Sequence, residues 1–294
     1  MIKWLGIRWS AHPLFVVIML ASLVTGYFGE LFTLFLIVLV HEIGHVVVAR
    51  GFGWRIREVK LLPFGGVAEV EEASGTPASQ DALVAIAGPL QNVWMGLAAW
   101  GCGQLGWWDQ DAAQYVWKAN AMIGLFNLLP IYPLDGGKLL QALFSLGLNY
   151  YAMMKWTARI SMALSLIMIV LALGAPLFFH SQGVQLNLLI IGAFLVMTNW
   201  TYYRNIPFLF VRFLMHRGRV AERAERRGVR AAPIIVGASQ PLASVVRLLK
   251  REQTHLICII GRSGKVAAVI PEEQLVDRYF EERNPNRPIG ELLR

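Results

Sequence analysis

Charged residues are scarce in this chain of 294 residues, where they make up 16% of the sequence against 56% hydrophobic residues. Ordinary soluble domains carry about 25% charged residues. The composition therefore excludes a typical soluble enzyme and indicates a protein that crosses a membrane several times. Cysteine is almost absent. Cys102 and Cys258 lie in regions that we expect to face different compartments, so no disulfide framework is implied.

An excess of acidic residues is also missing, and the net charge is +8. The basic residues flank apolar runs, which is typical of cytoplasmic anchoring at a membrane and not of a nucleic-acid-binding surface. We therefore predict that nucleic acid is not a partner. No small-residue cleavage site follows the first apolar run, so we expect that run to be retained as a span.

Six apolar runs approach the roughly 20 residues that a membrane-spanning helix needs. They cover residues 13–28, 31–50, 82–105, 112–129, 156–179 and 186–210. The loops on one side of these runs contain Lys and Arg, and the loops on the other side contain neither. This asymmetry predicts a mainly α-helical, polytopic membrane protein with six transmembrane helices and both termini in the cytoplasm.

The segment between the second and third runs has a different pattern. Residues 55–60 and 67–71 alternate between apolar and polar, and Pro63-Phe64-Gly65-Gly66 interrupts them. Alternation with a turn between predicts a short β-hairpin at the cytoplasmic interface. A plain amphipathic loop is the alternative reading of the same residues.

The chain changes character after the sixth run. Residues 1–210 form the predicted membrane domain, and residues 211–231 form a basic linker that contains seven arginines and that we expect at anionic lipid headgroups. Residues 232–294 alternate strand and helix patterns, with strands near 233–236, 255–260 and 265–270 and helices near 241–252 and 271–281. This cytoplasmic α/β domain is small for independent stability. We expect it to pair with a second copy or to pack on the membrane domain.

The second apolar run contains His41-Glu42-Ile43-Gly44-His45. Residues four apart share one face of a helix, so His41 and His45 can both reach one zinc ion, with Glu42 beside a bound water. A carboxylate in hydrocarbon costs about 2.5–3.5 kcal/mol on insertion scales. We expect a divalent cation to offset that cost.

A third ligand is needed, because hydrolytic zinc takes three protein ligands and one water. Two prolines and a Gly-Gly pair interrupt the chain after the fourth run, in Asn127-Leu128-Leu129-Pro130-Ile131-Tyr132-Pro133-Leu134-Asp135-Gly136-Gly137. Irregular backbone at membrane depth is tolerated where it lines a cavity or is packed on protein. We therefore predict Asp135 as the third ligand.

These residues predict metal-assisted hydrolysis of a peptide bond. Zinc on His41, His45 and Asp135 would lower the pKa of its water towards 7. Glu42 would take the proton and later deliver it to the leaving amine, and the amide of Asn127 would help to stabilise the oxyanion. A substrate must be extended locally to be cut, and the edge of the hairpin offers a place for an added strand.

Two other functions use the same residues. One is a transporter or channel for a divalent metal, with the histidines as a transit site, and the other is a catalytically silent scaffold. A transit site needs a continuous polar path, whereas the polar residues of the predicted spans cluster in their cytoplasmic half. This distribution favours the enzyme.

The motifs resemble those of the site-2 protease family of intramembrane zinc metalloproteases. The resemblance rests on the His-Glu-x-x-His helix, the Asn127–Gly137 segment, the Leu62–Gly66 loop and Ala87-Gly88-Pro89-Leu90-x-Asn92, and it covers about residues 1–210. It implies zinc on His41, His45 and Asp135, with Glu42 catalytic. It also implies substrate or oxyanion contacts for Asn127, Asn92, Phe64 and Gly65.

The C-terminal segment resembles a single CBS motif, a module that usually senses adenine nucleotides when two copies pair. That resemblance implies an adenine nucleotide as a ligand and a homo-oligomer formed through the CBS domain. Pro271 stands where the module usually has Thr or Ser, and Gln274 where it has the Asp that holds ribose.

Six spans followed by one CBS motif resemble the stage IV sporulation protease FB subgroup. This resemblance implies a membrane-associated sigma-factor precursor as substrate and membrane inhibitor proteins as partners. It also implies a location in the bacterial cell membrane, namely the forespore membrane on the mother-cell side.

Overall fold

The computed structural model describes residues 2–4, 7–11, 13–62, 65–71, 76–178, 184–217, 231–261, 264–282, 284 and 286–293. The chain divides into two compact units. The first unit comprises Met1–Ala73, Ser79–Pro130 and Leu134–Leu139, and the second comprises Ser74–Ala78, Ile131–Pro133 and Leu140–Arg294.

Helices dominate the described residues. In chain order they are α1 (Pro13–Thr25), α2 (Phe28–Gly51), α3 (Ala78–Gln104), α4 (Gln110–Asn127), α5 (Asp135–Gly147), α6 (Tyr150–Phe178), α7 (Leu186–Met215), α8 (Leu242–Val246) and α9 (Glu272–Glu281). The strands are β1 (Ile2–Trp4), β2 (Ile7–Ala11), β3 (Arg55–Leu62), β4 (Gly65–Glu71), β5 (Ala232–Gly237), β6 (His255–Ile260) and β7 (Val266–Pro271), and a 3₁₀ helix covers Ile289–Leu293.

Four helices are long and apolar enough to cross a membrane: α2, α3, α6 over Tyr150–Gly174, and α7. They make the protein a multi-pass membrane protein. Each of the six predicted runs coincides with a helix, but α1 has only 13 residues, which is short of the roughly 20 needed for a span. The count of six spans and the orientation of the termini therefore stay predictions.

The predicted hairpin is present in the first unit. Strands β3 and β4 pair antiparallel, with Leu62 opposite Gly65 across the turn. The N-terminal strands, which the sequence did not indicate, extend the hairpin to four strands in the order β1-β2-β3-β4. Strand β2 pairs parallel with β3, so in this sheet β4 keeps one edge that no described strand covers.

The chain breaks between α4 and α5, as the prolines predict. Helix α4 ends at Asn127, and Asp135 is the first residue of α5. Gly136 allows the first turn of α5 to lie close to the end of α4. A Cβ at that position would collide with the carbonyl oxygens of Leu128 and Leu129. Helix α5 was not predicted from the sequence.

The second unit joins α6, α7 and the C-terminal α/β domain through one apolar core. On α7, Ile206, Phe210 and Leu214 are four residues apart, so they form a buried stripe along one face. The other buried members are Met153, Met154, Ala158, Val236, Leu242, Val245, Val246, Leu249, Ile257, Ile259, Leu275, Val276 and Ile289. The small domain therefore packs on these two helices, as its size predicted.

The α/β order predicted for the C-terminal domain is confirmed. Its sheet has the order β5-β6-β7, with β5 parallel to β6 and β6 antiparallel to β7. Helix α8 ends at Val246, earlier than the predicted 252. Beyond its end, the carbonyls of Lys250, Arg251 and Gln253 accept hydrogen bonds from Arg217.

Arg217 is the point where α7 is fixed to the α/β domain. We expected it at lipid headgroups with the other linker arginines, but it is only 1% exposed. Its guanidinium donates to both carboxylate oxygens of Glu272, the first residue of α9, and His255 also contacts that carboxylate. The same loop of the domain contacts the start of α3, where Arg251 donates to Thr76 and the backbone N–H of Ala78 donates to Glu252. Residues 218–230 of the predicted linker lie outside the described part of the chain.

Candidate active site

Three side-chain atoms converge in the first unit. The Nε2 atoms of His41 and His45 are 3.1 Å apart, and each is 3.1 Å from Oδ2 of Asp135. All three side chains are buried. The histidines come from one face of α2, and the carboxylate comes from the first turn of α5.

The other nitrogen of each imidazole is already bonded. Nδ1 of His45 lies 2.6 Å from the carbonyl oxygen of Val84, and Nδ1 of His41 lies 2.5 Å from Oδ1 of Asn92. Both partners are acceptors, so both Nδ1 atoms carry the proton and donate it. Each Nε2 is left with a free lone pair, which is the form of histidine that binds a metal.

The two carboxylate oxygens of Asp135 have different partners. Oδ2 faces the histidines, while Oδ1 accepts a hydrogen bond of 3.0 Å from Nζ of Lys138, one turn further along α5. A carboxylate held in this way presents one oxygen to a metal. The contact with Lys138 fixes its orientation and balances part of its charge.

Glu42 lies between the two histidines in sequence and is itself only 7% exposed. One of its carboxylate oxygens and one ring nitrogen of each of His41 and His45 all lie within 4.8 Å of one another. One water molecule can bridge a gap of this size, so Glu42 is placed to exchange a proton with a water at the metal position.

The three ligands fit zinc. Zinc bonds of about 2.0–2.1 Å in a tetrahedron place ligand atoms about 3.3 Å apart, close to the 3.1 Å triangle found here. Gly88 of α3 leaves the space open, because a Cβ there would lie 2.6 Å from Nε2 of His41 and even closer to Nε2 of His45. A zinc ion held by these three side chains would keep its fourth position for water.

The remaining predicted residues occupy different places. Asn92 contacts His41, whereas the amide of Asn127 donates to the carbonyl of Ile123 in its own helix. Gly65 begins β4, and Phe64 lies outside the described residues. The structure therefore brings Asn92 to the three ligands and turns the amide N–H of Asn127 back to α4.

Three further residues near the site had no role assigned from the sequence. Asn120 of α4 bonds Asn92, Lys138 bonds Asp135, and Gly88 clears the metal position. Asn120 had a readable signal, because Asn92-x-x-x-Gly96 on one helix is matched by Asn120-x-x-x-Gly124 on the next. Lys138 stood three residues after the predicted ligand, within reach along a helix that was not predicted.

Comparison with known proteins identifies the family. The model of peptidase family M50 matches residues 29–110 and 109–173. Stage IV sporulation protein FB of Bacillus subtilis is 35% identical over 293 residues, which cover 99% of this chain and 98% of that protein. The chain belongs to peptidase family M50, the site-2 proteases.

Other site-2 proteases agree in sequence and fold. A zinc metalloprotease of Methanocaldococcus jannaschii is 34% identical over 183 residues, 58% of this chain and 52% of that protein. The solved structure of a site-2 protease from the same organism has 28% identity and a TM-score of 0.54, covering 69% of this chain and 94% of that one. This site-2 protease is therefore a membrane zinc metalloprotease, and the family implies Zn²⁺ at the cluster on α2.

Proposed function

We propose that this site-2 protease cuts a regulatory protein in or next to its membrane segment, and that the substrate is a membrane-associated sigma-factor precursor. The observation that carries the reaction is the three-ligand cluster with Glu42 on a helix of membrane length. The sporulation role is supported by similarity to stage IV sporulation protein FB along 99% of this chain. A metal transporter is not favoured by any of the relatives, which are named as metalloproteases or as a sporulation protein.

The residues divide the chemistry among them. His41, His45 and Asp135 would hold the zinc, which supplies Lewis acidity and lowers the pKa of its water towards 7 when bound. Glu42 takes the proton from the attacking water and delivers it to the departing amine. Burial of all four side chains excludes bulk water from the reacting centre.

The substrate is proposed to bind as an added strand on β4. A peptide bond inside a helix is shielded, so the substrate must be extended locally before attack. Strand β4 is at the edge of the four-stranded sheet and begins at Gly65, and its backbone groups would give an extended segment hydrogen-bonding partners whatever its sequence. Side-chain contacts by Phe64 and Gly65, and an oxyanion role for Asn127, remain part of this proposal.

The location and further partners are proposed from the similarity to stage IV sporulation protein FB. We propose the forespore membrane on the mother-cell side, both termini in the cytoplasm, and membrane inhibitor proteins as partners that hold the protease inactive. An adenine nucleotide at the C-terminal domain, which we propose to be a CBS domain, stays a sequence prediction. Pro271, the residue before α9, and Gln274 are the departures that a nucleotide would have to accommodate.

The test of function is cleavage under metal control. Full-length protein is co-expressed in a bacterial host with a membrane-associated sigma-factor precursor, and the membranes are then isolated. We expect a released fragment whose N-terminal sequence places the cut in or next to the membrane segment. Treatment with 1,10-phenanthroline should stop its release, and added Zn²⁺ should restore it. A fragment that forms equally with the chelator would contradict the proposal.

We propose that the C-terminal domain pairs with a second copy through the outer face of its sheet. The outward positions of β5, β6 and β7 are apolar, with Ile235 67% exposed and Val269 53% exposed. Outward positions without charge let two identical faces meet about a two-fold axis without burying ions. Lone apolar residues on a surface are ordinary, whereas a contiguous patch indicates a contact surface.

Cysteine cross-linking tests this pairing. Cys258 is on the middle strand of that face, between Ile235 and Val269 in the register. We expect a bifunctional maleimide to yield a species of twice the mass, lost in Cys258→Ser and retained in Cys102→Ser. Val269→Glu should lower the mass measured by light scattering in detergent. Equal masses for wild type and Val269→Glu, together with no cross-link, would contradict the pairing.

A further inference from the structure

The imidazole of His41 is tied to the backbone of α4 through two asparagines. Its Nδ1 lies 2.5 Å from Oδ1 of Asn92. Nδ2 of Asn92 donates to Oδ1 of Asn120 at 3.2 Å, and Nδ2 of Asn120 donates to the carbonyl oxygen of Val116 at 2.9 Å. Both asparagines are buried, and no part of Asn120 is exposed.

This series of hydrogen bonds runs in one direction only. A backbone carbonyl can accept but cannot donate, so Val116 requires the NH₂ end of Asn120. Oδ1 of Asn120 then faces the NH₂ end of Asn92, and Oδ1 of Asn92 faces His41. The reversed amide would present NH₂ to Nδ1 of His41, which would move the imidazole proton to Nε2 and block the lone pair that binds a metal.

Glycines on α3 and α4 allow Asn92 and Asn120 to approach each other closely. A Cβ on Gly124 would lie 3.2 Å from Cβ of Asn92, and a Cβ on Gly96 would lie 3.4 Å from Cβ of Asn120. Each asparagine therefore faces a glycine of the opposite helix. Small residues permit this close approach of membrane helices, and amides then bond across it.

His45 has a simpler arrangement. Its Nδ1 donates directly to the carbonyl of Val84, so its tautomer is set by the backbone without an intermediate side chain. His41 reaches a backbone carbonyl only through Asn92 and Asn120. The two ligands on one helix thus differ in whether a side-chain substitution can disturb them.

We propose that Asn120 is a positioning residue for the metal ligand His41, acting through the orientation of the Asn92 amide. The inference rests on the metal centre proposed above. It extends that centre to a residue on α4 that lies beyond contact with any ligand. The outer partners of metal-binding histidines fix the tautomer, and their loss typically weakens metal affinity by about 10- to 100-fold.

The experiment is a double-mutant cycle read out as Zn²⁺ affinity, measured on purified full-length protein by competition with a chromophoric chelator. We expect Asn120→Leu to weaken Zn²⁺ binding by about 10- to 100-fold. Asn92→Asp should still bind Zn²⁺, because either carboxylate oxygen accepts from Nδ1 of His41, although the other oxygen then faces Oδ1 of Asn120, which is also an acceptor. In the Asn92→Asp background, Asn120→Leu should cause no further loss.

The same cycle separates positioning from folding. A purely structural role for Asn120 would give the same loss of Zn²⁺ affinity in both backgrounds, and that result would overturn the inference. The matched control is Ser165→Ala, which removes a buried hydroxyl bonded within its own helix and should leave affinity unchanged. If Asn120→Leu does not fold, Asn120→Ala replaces it in both backgrounds of the cycle. Wild type that binds no Zn²⁺ would instead overturn the proposed function.

Discussion

Replacing Glu42 by glutamine is expected to lower peptide hydrolysis by about 10²–10⁴-fold while zinc stays bound. The amide keeps the size of the side chain in its buried position but cannot take a proton from water. None of the three metal ligands changes, because His41, His45 and Asp135 contact one another without Glu42. The measurements are cleavage of the membrane-anchored precursor and zinc content of the purified protein.

A control on the same helix makes this result specific. Glu30 is in the first turn of α2 and exposed, so Glu30→Gln makes the same chemical change far along the helix from the site. Its cleavage rate should match that of wild type. If Glu42→Gln cut the precursor at the wild-type rate, the assignment of Glu42 as the proton carrier would be wrong.

The second large effect concerns stability. Replacing Arg217 by methionine is expected to destabilise the C-terminal domain by about 3–5 kcal/mol, because it leaves the buried carboxylate of Glu272 without its main partner. Burial alone would raise the pKa of Glu272, but the hydrogen bond from His255 and the charge of Arg217 more than offset this and hold the pKa below its ordinary value. The carboxylate is therefore charged at neutral pH, and leaving this buried charge unpaired lowers the free energy of unfolding.

Hydrogen exchange of β6 and α9 in detergent-purified protein measures this loss. The double variant Arg217→Met with Glu272→Met should recover much of the protection, because it removes both buried charges together. Arg287→Met breaks the exposed pair with Glu291 and should leave exchange unchanged. Equal exchange in wild type and Arg217→Met would contradict a fixing role for Arg217.

Local pattern in the sequence was enough to predict which side chains of the candidate site lie together. His41, Glu42 and His45 needed only helical spacing, and Asp135 needed only the broken segment before it. The structure brings these side chains together. The order of strands and helices in the C-terminal domain could also be predicted, because its strands are short apolar runs bounded by turns.

Other features depend on tertiary contacts that a single pattern does not contain. Arg217 stood among seven arginines, and nothing in the local sequence marked it as a residue that the fold buries. Strands β1 and β2 are three and five residues long, so their pairing with β3 depends on a distant segment. Asn120 contributes through a side chain of another helix, which only the packing of α3 on α4 reveals.

The spacing of the metal ligands along the chain also sets when they meet during biosynthesis. Ninety positions separate His45 from Asp135, and a ribosome adding about 5–20 residues per second needs roughly 5–20 s to make them. A nascent chain therefore holds both imidazoles well before it has their carboxylate. With the proposed ligand set, proteolytic competence would arise only after the first turn of α5 has been synthesised.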